Sequence, residues 1–220
     1  KRQVLQERSV TMVQRIHNSL FILRKGMILC VIIAVLAAIT GFMMMKPLDL
    51  QDKENALQQC YCIAYPVCVM LLYTITFMPF VYSPSRELFY IAHRIKWVET
   101  IIPFLYLSLL MCAITSLLFF RTILYPERFI AKNLIIIYCF CGLYYGTVYT
   151  AKNITIAIIL SFTLIILSLS GGNLFNAIIP WYIDVHSVKT LASFMKEYII
   201  LGSAGCILGL FSNHRYSDYQ

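Results

Sequence analysis

Two stretches of this chain, Gly26 to Met45 and Cys60 to Tyr82, contain no charged residue at all. Their apolar residues run continuously instead of recurring in a stripe, so a helix built from them has no face for water. A helix needs about 20 such residues to cross the roughly 30 Å hydrocarbon core of a bilayer. Further apolar runs follow at Ile101 to Phe120, Leu134 to Ala151 and Ile154 to Ser170. The last, Tyr198 to Phe211, is short and spans by drawing in its flanks, over 194–213. The prediction is an all-α membrane protein, a single transmembrane domain over 1–220 with about six spans: 26–45, 60–82, 101–120, 134–151, 154–170 and 194–213. Composition agrees: 60% hydrophobic and 13% charged, against about 45–50% and about 25% in soluble domains. A chain of 220 residues makes too small a soluble core to bury that excess. The first run is too long for a signal-peptide core and lacks a small-x-small cleavage site, so it reads as a retained span.

Orientation follows the basic residues of the loops. With the N-terminus inside and six alternating spans, the inner segments hold Lys1, Arg2, Arg8, Arg15, Arg24, Lys25, Arg86, Arg94, Lys96, Lys152 and Arg215. The outer segments hold Lys46, Lys53, Arg121, Arg128, Lys132, Lys189 and Lys196, giving eleven against seven. Both termini are therefore expected in the cytoplasm, although Arg121, Arg128 and Lys132 make one outer loop unusually basic. The net charge of +8 is read as a set of span flanks facing anionic lipid, not as a nucleic-acid surface.

The segments between spans carry structure of their own. Over residues 1–25, Val4, Val10, Val13, Ile16, Leu20 and Leu23 recur at three- and four-residue steps with Arg8, Arg15, Arg24 and Lys25 between them. That pattern suits a basic amphipathic helix in the membrane interface. Pro47 to Gln59 is read as a short polar outer loop. The inner segment 83–100 begins Ser83-Pro84-Ser85-Arg86-Glu87 and continues Leu88-Phe89-Tyr90-Ile91-Ala92-His93-Arg94-Ile95-Lys96-Trp97. A serine cap, a proline at the start and Glu87 in the first turn predict a short amphipathic helix. It serves either to pack on the membrane surface or to dock a cytoplasmic partner. Over 171–193, Gly171-Gly172 breaks the fifth span, and Leu174 to Ile179, Pro180, Trp181-Tyr182 and Asp184 to His186 are too apolar for a loop and too interrupted for a span. Short re-entrant helices fit, with Trp181 and Tyr182 in the aromatic belt. Ser212 to Gln220 is a short polar tail.

Chemistry-bearing groups are sparse. All four histidines (His17, His93, His186, His214) lie in flanks or loops, and no carboxylate falls mid-span, which argues against an intramembrane metalloprotease and against an acidic proton relay. Cys60-Tyr-Cys62 and Cys139-Phe-Cys141 are spaced too closely for a C-x2-C zinc site, and Cys30, Cys68, Cys112 and Cys206 stand singly in apolar runs; a buried apolar role is expected for all. Leu169-Ser170-Gly171-Gly172-Asn173 echoes an ATPase signature, but the sequence contains no G-x-x-x-x-G-K-[ST] loop to hold phosphate, so the echo is coincidental. No catalytic, cofactor-binding or metal-binding residue is assigned. The spans do carry hydroxyls, richest in the fourth and second: Tyr65, Tyr73, Tyr138, Tyr144, Tyr145 and Thr147 are the candidates to line a pathway. Helix-to-helix hydrogen bonding is the plainer account of the same groups.

This layout resembles the permease subunits of ABC-2 type transporters, especially small bacterial ones that export peptides or bacteriocins or give self-immunity. Val4 to Lys25 looks like that family's elbow helix before the first span. Ser83-Pro84-Ser85-Arg86-Glu87 through Trp97 looks like its coupling helix, Leu174 to Val188 like its re-entrant pair, and Phe211 to Tyr216 like its tail. The resemblance covers the whole chain as a layout. It implies a multi-pass cell-membrane protein of bacterial type whose Ser85, Arg86, Glu87, Phe89, Tyr90, His93 and Arg94 dock on a separate ABC-type ATPase. ATP and Mg2+ would be bound by that partner and none by this chain, a second permease subunit would complete the pair, and amphipathic peptides or other hydrophobic molecules would be the cargo. The alternatives are a stand-alone membrane immunity or sensing factor and a secondary transporter.

Overall fold

The computed structural model describes residues 2–45, 50–82, 97–119, 126–169 and 188–217. Six helices account for nearly all of them: α1 (Arg2–Met45), α2 (Leu50–Tyr82), α3 (Trp97–Ile114) continued by a π-helical turn (Thr115–Phe119), α4 (Pro126–Ala151), α5 (Ile154–Leu169) and α6 (Val188–Ser217). Among the described residues there is no strand. Five stretches are long and apolar enough to cross a membrane: Leu20–Met43, Cys60–Tyr82, Glu99–Leu117, Pro126–Ala151 and Met195–Ser212. The chain is an all-α, multi-pass membrane protein. The expected fifth span corresponds to α5, described over Ile154–Leu169, with residue 170 outside the described residues.

The termini of several elements depart from the sequence reading. α1 is helical without interruption from Arg2 to Met45, so no break separates the expected elbow from the first span. Residues 50–59, expected in a loop, extend α2, because Leu, Gln, Lys, Glu and Ala dominate there and all favour helix. α4 starts eight residues before the expected span, at Pro126-Glu127, where a proline at the first helical position and an acid in the first turn suit a helix start. The tail is helical as far as Ser217. Of the re-entrant segment 171–193, 171–187 lies outside the described residues, and 188–193 belongs to α6.

Small residues set the packing. α1 turns Gly26, Cys30, Ala34, Ala38 and Gly41 toward α2, all buried. The pair is antiparallel: a Cβ on Gly26 would meet Ile75 and Leu72, and one on Gly41 would meet Leu57, while Cys30 and Cys68 each aim Sγ at the other's carbonyl, at 3.7 and 3.9 Å. α4 and α6 form the most extensive contact and run parallel. Gly142-x-x-x-Gly146 on α4 faces Gly202, Gly205 and Gly209 on α6 so closely that a Cβ at Gly142 would collide with the Gly202 carbonyl oxygen, and one at Gly146 would stand 2.6 Å from that of Gly205. Without a hydrophobic drive between helices in lipid, such close backbone approach supplies the dispersion contacts that hold a bundle together. Lys152 closes the α4–α5 turn with φ 54°, and Asn153 caps α5 by accepting from the Thr155 N–H at 2.8 Å.

The buried side of the bundle lies between α2 and α4, whereas Phe21, Phe42, Leu109, Leu117, Ile166, Ile200 and Phe211 point outward, as lipid-facing side chains do.

Candidate functional site

The core of the bundle is unusually aromatic and hydroxyl-bearing. Tyr61, Tyr65, Tyr73, Tyr144, Tyr145 and Tyr149 are among its largest fully buried side chains. They line up along α2 and α4. Tyr61 stacks near Tyr65 (centroids 5.2 Å) and edge-on to Phe129 (6.0 Å). Tyr73 meets Tyr144 at 5.9 Å. Phe77 sits between Tyr145 and Tyr149, at 5.9 and 5.5 Å. Edge-to-face and tilted pairs of this kind are favourable beyond their buried area.

The hydroxyls of Tyr73 and Tyr144, with those of Tyr82, Tyr106 and Tyr138, tie helices together. Tyr73 Oη donates to the Thr100 carbonyl at the start of α3, at 2.7 Å. Thr74 Oγ1 and Tyr144 Oη are 2.5 Å apart, bridging α2 and α4. Tyr138 Oη pairs with Ser203 Oγ of α6 at 2.9 Å, and Tyr106 Oη donates to the Met27 carbonyl of α1 at 2.8 Å. Tyr82 Oη donates to Asn153 Oδ1 at 2.8 Å.

Of the pathway candidates, the structure brings Tyr73 and Tyr144 into direct contact and places Tyr145 one ring away across Phe77. Tyr73 and Tyr144 are each 0% exposed, so neither borders a space large enough for water in this conformation. Tyr138 is half-buried against α6. Thr147 is half-buried too, its hydroxyl folded back on the carbonyls of Leu143 and Tyr144, at 2.8 and 3.0 Å. The candidates form a closed, interdigitated core. The coupling candidates Ser85, Arg86, Glu87, Phe89, Tyr90, His93 and Arg94 lie outside the described residues.

Two ionisable groups that the sequence reading assigned to loops are inside the bundle. Lys132 is 1% exposed and Glu99 3%. Lys132 stands one turn along α4 from Phe129, which meets Tyr61, and Tyr61 is beside Cys60, which accepts from Thr40 of α1. That level is within the apolar span of α1. Glu99 precedes Thr100, whose carbonyl accepts from Tyr73, nine residues or about 13 Å of helix from the end of α2 at Tyr82. The assignment of Glu99 and Lys132 to exposed loops is corrected at both places. A helix that starts earlier than its apolar run, as α4 does, carries the polar residues of its first turns into the bundle. Asn133 is buried beside Lys132 and donates to the Phe129 carbonyl at 2.9 Å.

All eight cysteines are free; five are buried and Cys60, Cys112 and Cys206 half-buried. Among the described residues no group of three or more potential metal ligands comes together. No family model matches the chain, and no curated protein or solved structure matches it either.

Proposed function

We propose that this chain is the membrane-spanning subunit of a transporter, driven by a separate ATPase that docks on segment 83–97, and that it moves amphipathic or hydrophobic molecules. The observation that carries the reading is the chain of interhelical hydroxyl contacts through α2, α4 and α6: Thr74 to Tyr144, and Tyr138 to Ser203. A bundle that only had to persist in lipid would need small residues and van der Waals packing, which α1–α2 and α4–α6 already have. Hydroxyls that are donor and acceptor alike can exchange partners as helices shift, and an uncharged aromatic lining suits cargo without formal charge. The amphipathic, basic segment Arg86 to Lys96 is suited to passing such a shift from a cytoplasmic motor, which acts through its differential affinity for two states of the subunit.

The test is purification of the native complex in mild detergent, with mass spectrometry of what accompanies it. Co-purification of an ABC-class ATPase, and ATP-dependent uptake or release of cargo in reconstituted vesicles, are expected. Purification without any ATP-binding partner, together with indifference to ATP, refutes the reading.

A second reading is favoured by one observation. Glu99 and Lys132 are buried on helices that carry candidate spans, and ionisable residues inside spans mark ion and substrate paths in secondary transporters. Transport that follows an ion gradient and ignores ATP would select it.

A further inference from the structure

Most threonine hydroxyls in these helices are satisfied in the way usual for membrane helices, by turning back to a carbonyl one turn earlier. Thr40, Thr76, Thr147, Thr150 and Thr163 all do so, at 2.7 to 3.0 Å. Ser108 and Thr115 of α3 do not: neither hydroxyl finds a partner among the described residues, nor does that of Tyr65 on α2, and all three oxygens are buried. Tyr65 is 1% exposed and Thr115 0%.

The three exceptions gather in one place. Ser108, Cys112 and Thr115 are spaced i, i+4 and i+7, one stripe of α3. α2 packs against α3, with Tyr73 Oη on the Thr100 carbonyl; eight residues back along α2 and eight forward along α3 from that contact bring Tyr65 to the level of Ser108, so α2 faces that stripe. On one side of it α3 buries Leu107, Met111 and Ile114, and on the other it presents Leu105, Leu109 and Leu117 to lipid. The stripe is thus the margin where the α2–α3 contact meets the membrane. It ends at Thr115, where the backbone leaves α-helical geometry for a π turn, a feature that appears frequently at functional sites. A buried hydroxyl left without a partner keeps its full desolvation cost, so the closed contact between α2 and α3 is penalised by the very groups that line it, and separation of the two helices relieves that penalty.

We infer that the seam between α2 and α3, lined by Tyr65, Ser108, Cys112 and Thr115, opens to water in a second state of the bundle and there receives the neutral hydrogen-bonding groups, amide or hydroxyl, of an amphipathic molecule. This rests on the transport reading and names where in the bundle the path runs.

Cys112 makes the test possible in the unaltered chain. Membranes holding the intact complex are treated with a charged, membrane-impermeant methanethiosulfonate, and modification of each cysteine is followed by mass spectrometry. Such a reagent needs a thiolate in water, so a thiol facing lipid stays inert. Cys112 is expected to react at least tenfold faster than buried Cys30 and Cys68, and than a cysteine placed on the lipid face by Leu109→Cys. Ser108→Cys and Thr115→Cys should follow Cys112. Failure of Cys112 to outpace these controls overturns the inference, even when ATP still drives transport, in which case the transport reading stands and its path lies elsewhere. Fast reaction of Cys112 that is indifferent to ATP in a preparation lacking any ATPase keeps the seam and removes the ATPase-driven reading.

Discussion

Replacing Gly146 by alanine puts one methyl group into the tightest seam of the molecule, and the structure fixes how much room it lacks. The new Cβ would stand 2.6 Å from the carbonyl oxygen of Gly205 and 3.1 Å from its Cα, where ordinary contact begins at 3.4 Å. Both atoms belong to backbone, so no rotamer change can yield; α4 and α6 must part by about 0.8 Å, the shortfall of 2.6 Å against 3.4 Å. A gap of that size forfeits about a quarter to a half of each dispersion contact it opens, and overpacking of a tight core costs about 1–3 kcal/mol. Alanine returns up to about 1 kcal/mol of helix propensity. The net expectation is a loss of about 1–2 kcal/mol for Gly146→Ala and more for Gly142→Ala, whose Cβ falls on the Gly202 carbonyl. Gly26→Ala is the control, because its Cβ would meet side-chain ends, those of Ile75, Leu72 and Leu71 at 2.7, 3.0 and 3.4 Å. Those can move to other rotamers for about 0.5–1.5 kcal/mol, so this variant should stay within about 1 kcal/mol of the parent. The assay is unfolding in mixed micelles with rising SDS, read by helical circular dichroism. The double variant Gly142→Ala/Gly146→Ala should lose less than the sum of the single losses, since one separation accommodates both methyl groups. A neutral Gly146→Ala, or a Gly26→Ala equally harmful, refutes the reasoning.

Other consequences follow from the site. In a double-mutant cycle of Thr74→Val and Tyr144→Phe, the coupling should be about 0.5–1.5 kcal/mol in the same assay, the range for a hydrogen bond within a membrane bundle; zero coupling would mean that the 2.5 Å contact contributes nothing. Lys132→Glu should lower the yield of monodisperse protein severely, by the equivalent of 3 kcal/mol or more, about the cost of breaking a buried charge arrangement, while Lys132→Met, which keeps the volume, should be tolerated far better; size-exclusion profiles distinguish them. Arg86→Glu with Arg94→Glu should abolish transport while leaving insertion and the circular dichroism spectrum unchanged, and normal transport by that variant removes segment 83–97 as the docking element. Cys139→Ala with Cys141→Ala should keep transport largely intact, and a strong loss restored by added metal would require a metal site there.

The spans were legible because the signal for them is crude: a run of about 20 apolar residues without charge. Helix ends were not, because hydropathy measures polarity and a polar segment can be helical. Residues 50–59 show this, as does Pro126 to Asn133, where the proline and Glu127 were a start signal already present in the sequence. Gly202-Ser203-Ala204-Gly205 could be read as small-residue packing, but nothing in the sequence names Gly142 and Gly146 as the opposite face; that needs the register between two helices some 60 residues apart. The tyrosines were visible as hydroxyls needing partners, and Tyr73, Tyr82, Tyr106, Tyr138 and Tyr144 find them. Which pairs form, and which hydroxyls are left over on α3, depends on side-chain direction across interfaces and cannot be read from spacing along one helix.

The misplaced charges bear on how the bundle works. With Lys132 taken out of the loops, the outer segments hold six basic residues against the eleven inside, so the one loop that opposed the cytoplasmic placement of the termini weakens as counter-evidence. Lys132 belongs to the level of Tyr61, and Glu99 to that of Tyr73. Twelve residues of α2 separate those levels, about 18 Å, too far for the two charges to neutralise one another directly. Each must be satisfied within its own end of the bundle, since a charge buried without compensation is costly. The result is polar chemistry at both ends with an aromatic, uncharged middle between them. In such a bundle, resistance to opening is strongest where glycines lock α4 to α6 and weakest where α3 leaves hydroxyls without partners against α2. Motion imposed on the ends of α2 and α3 that residues 83–96 connect should therefore open the seam at Ser108 to Thr115 before it disturbs the seam at Gly142 to Gly146.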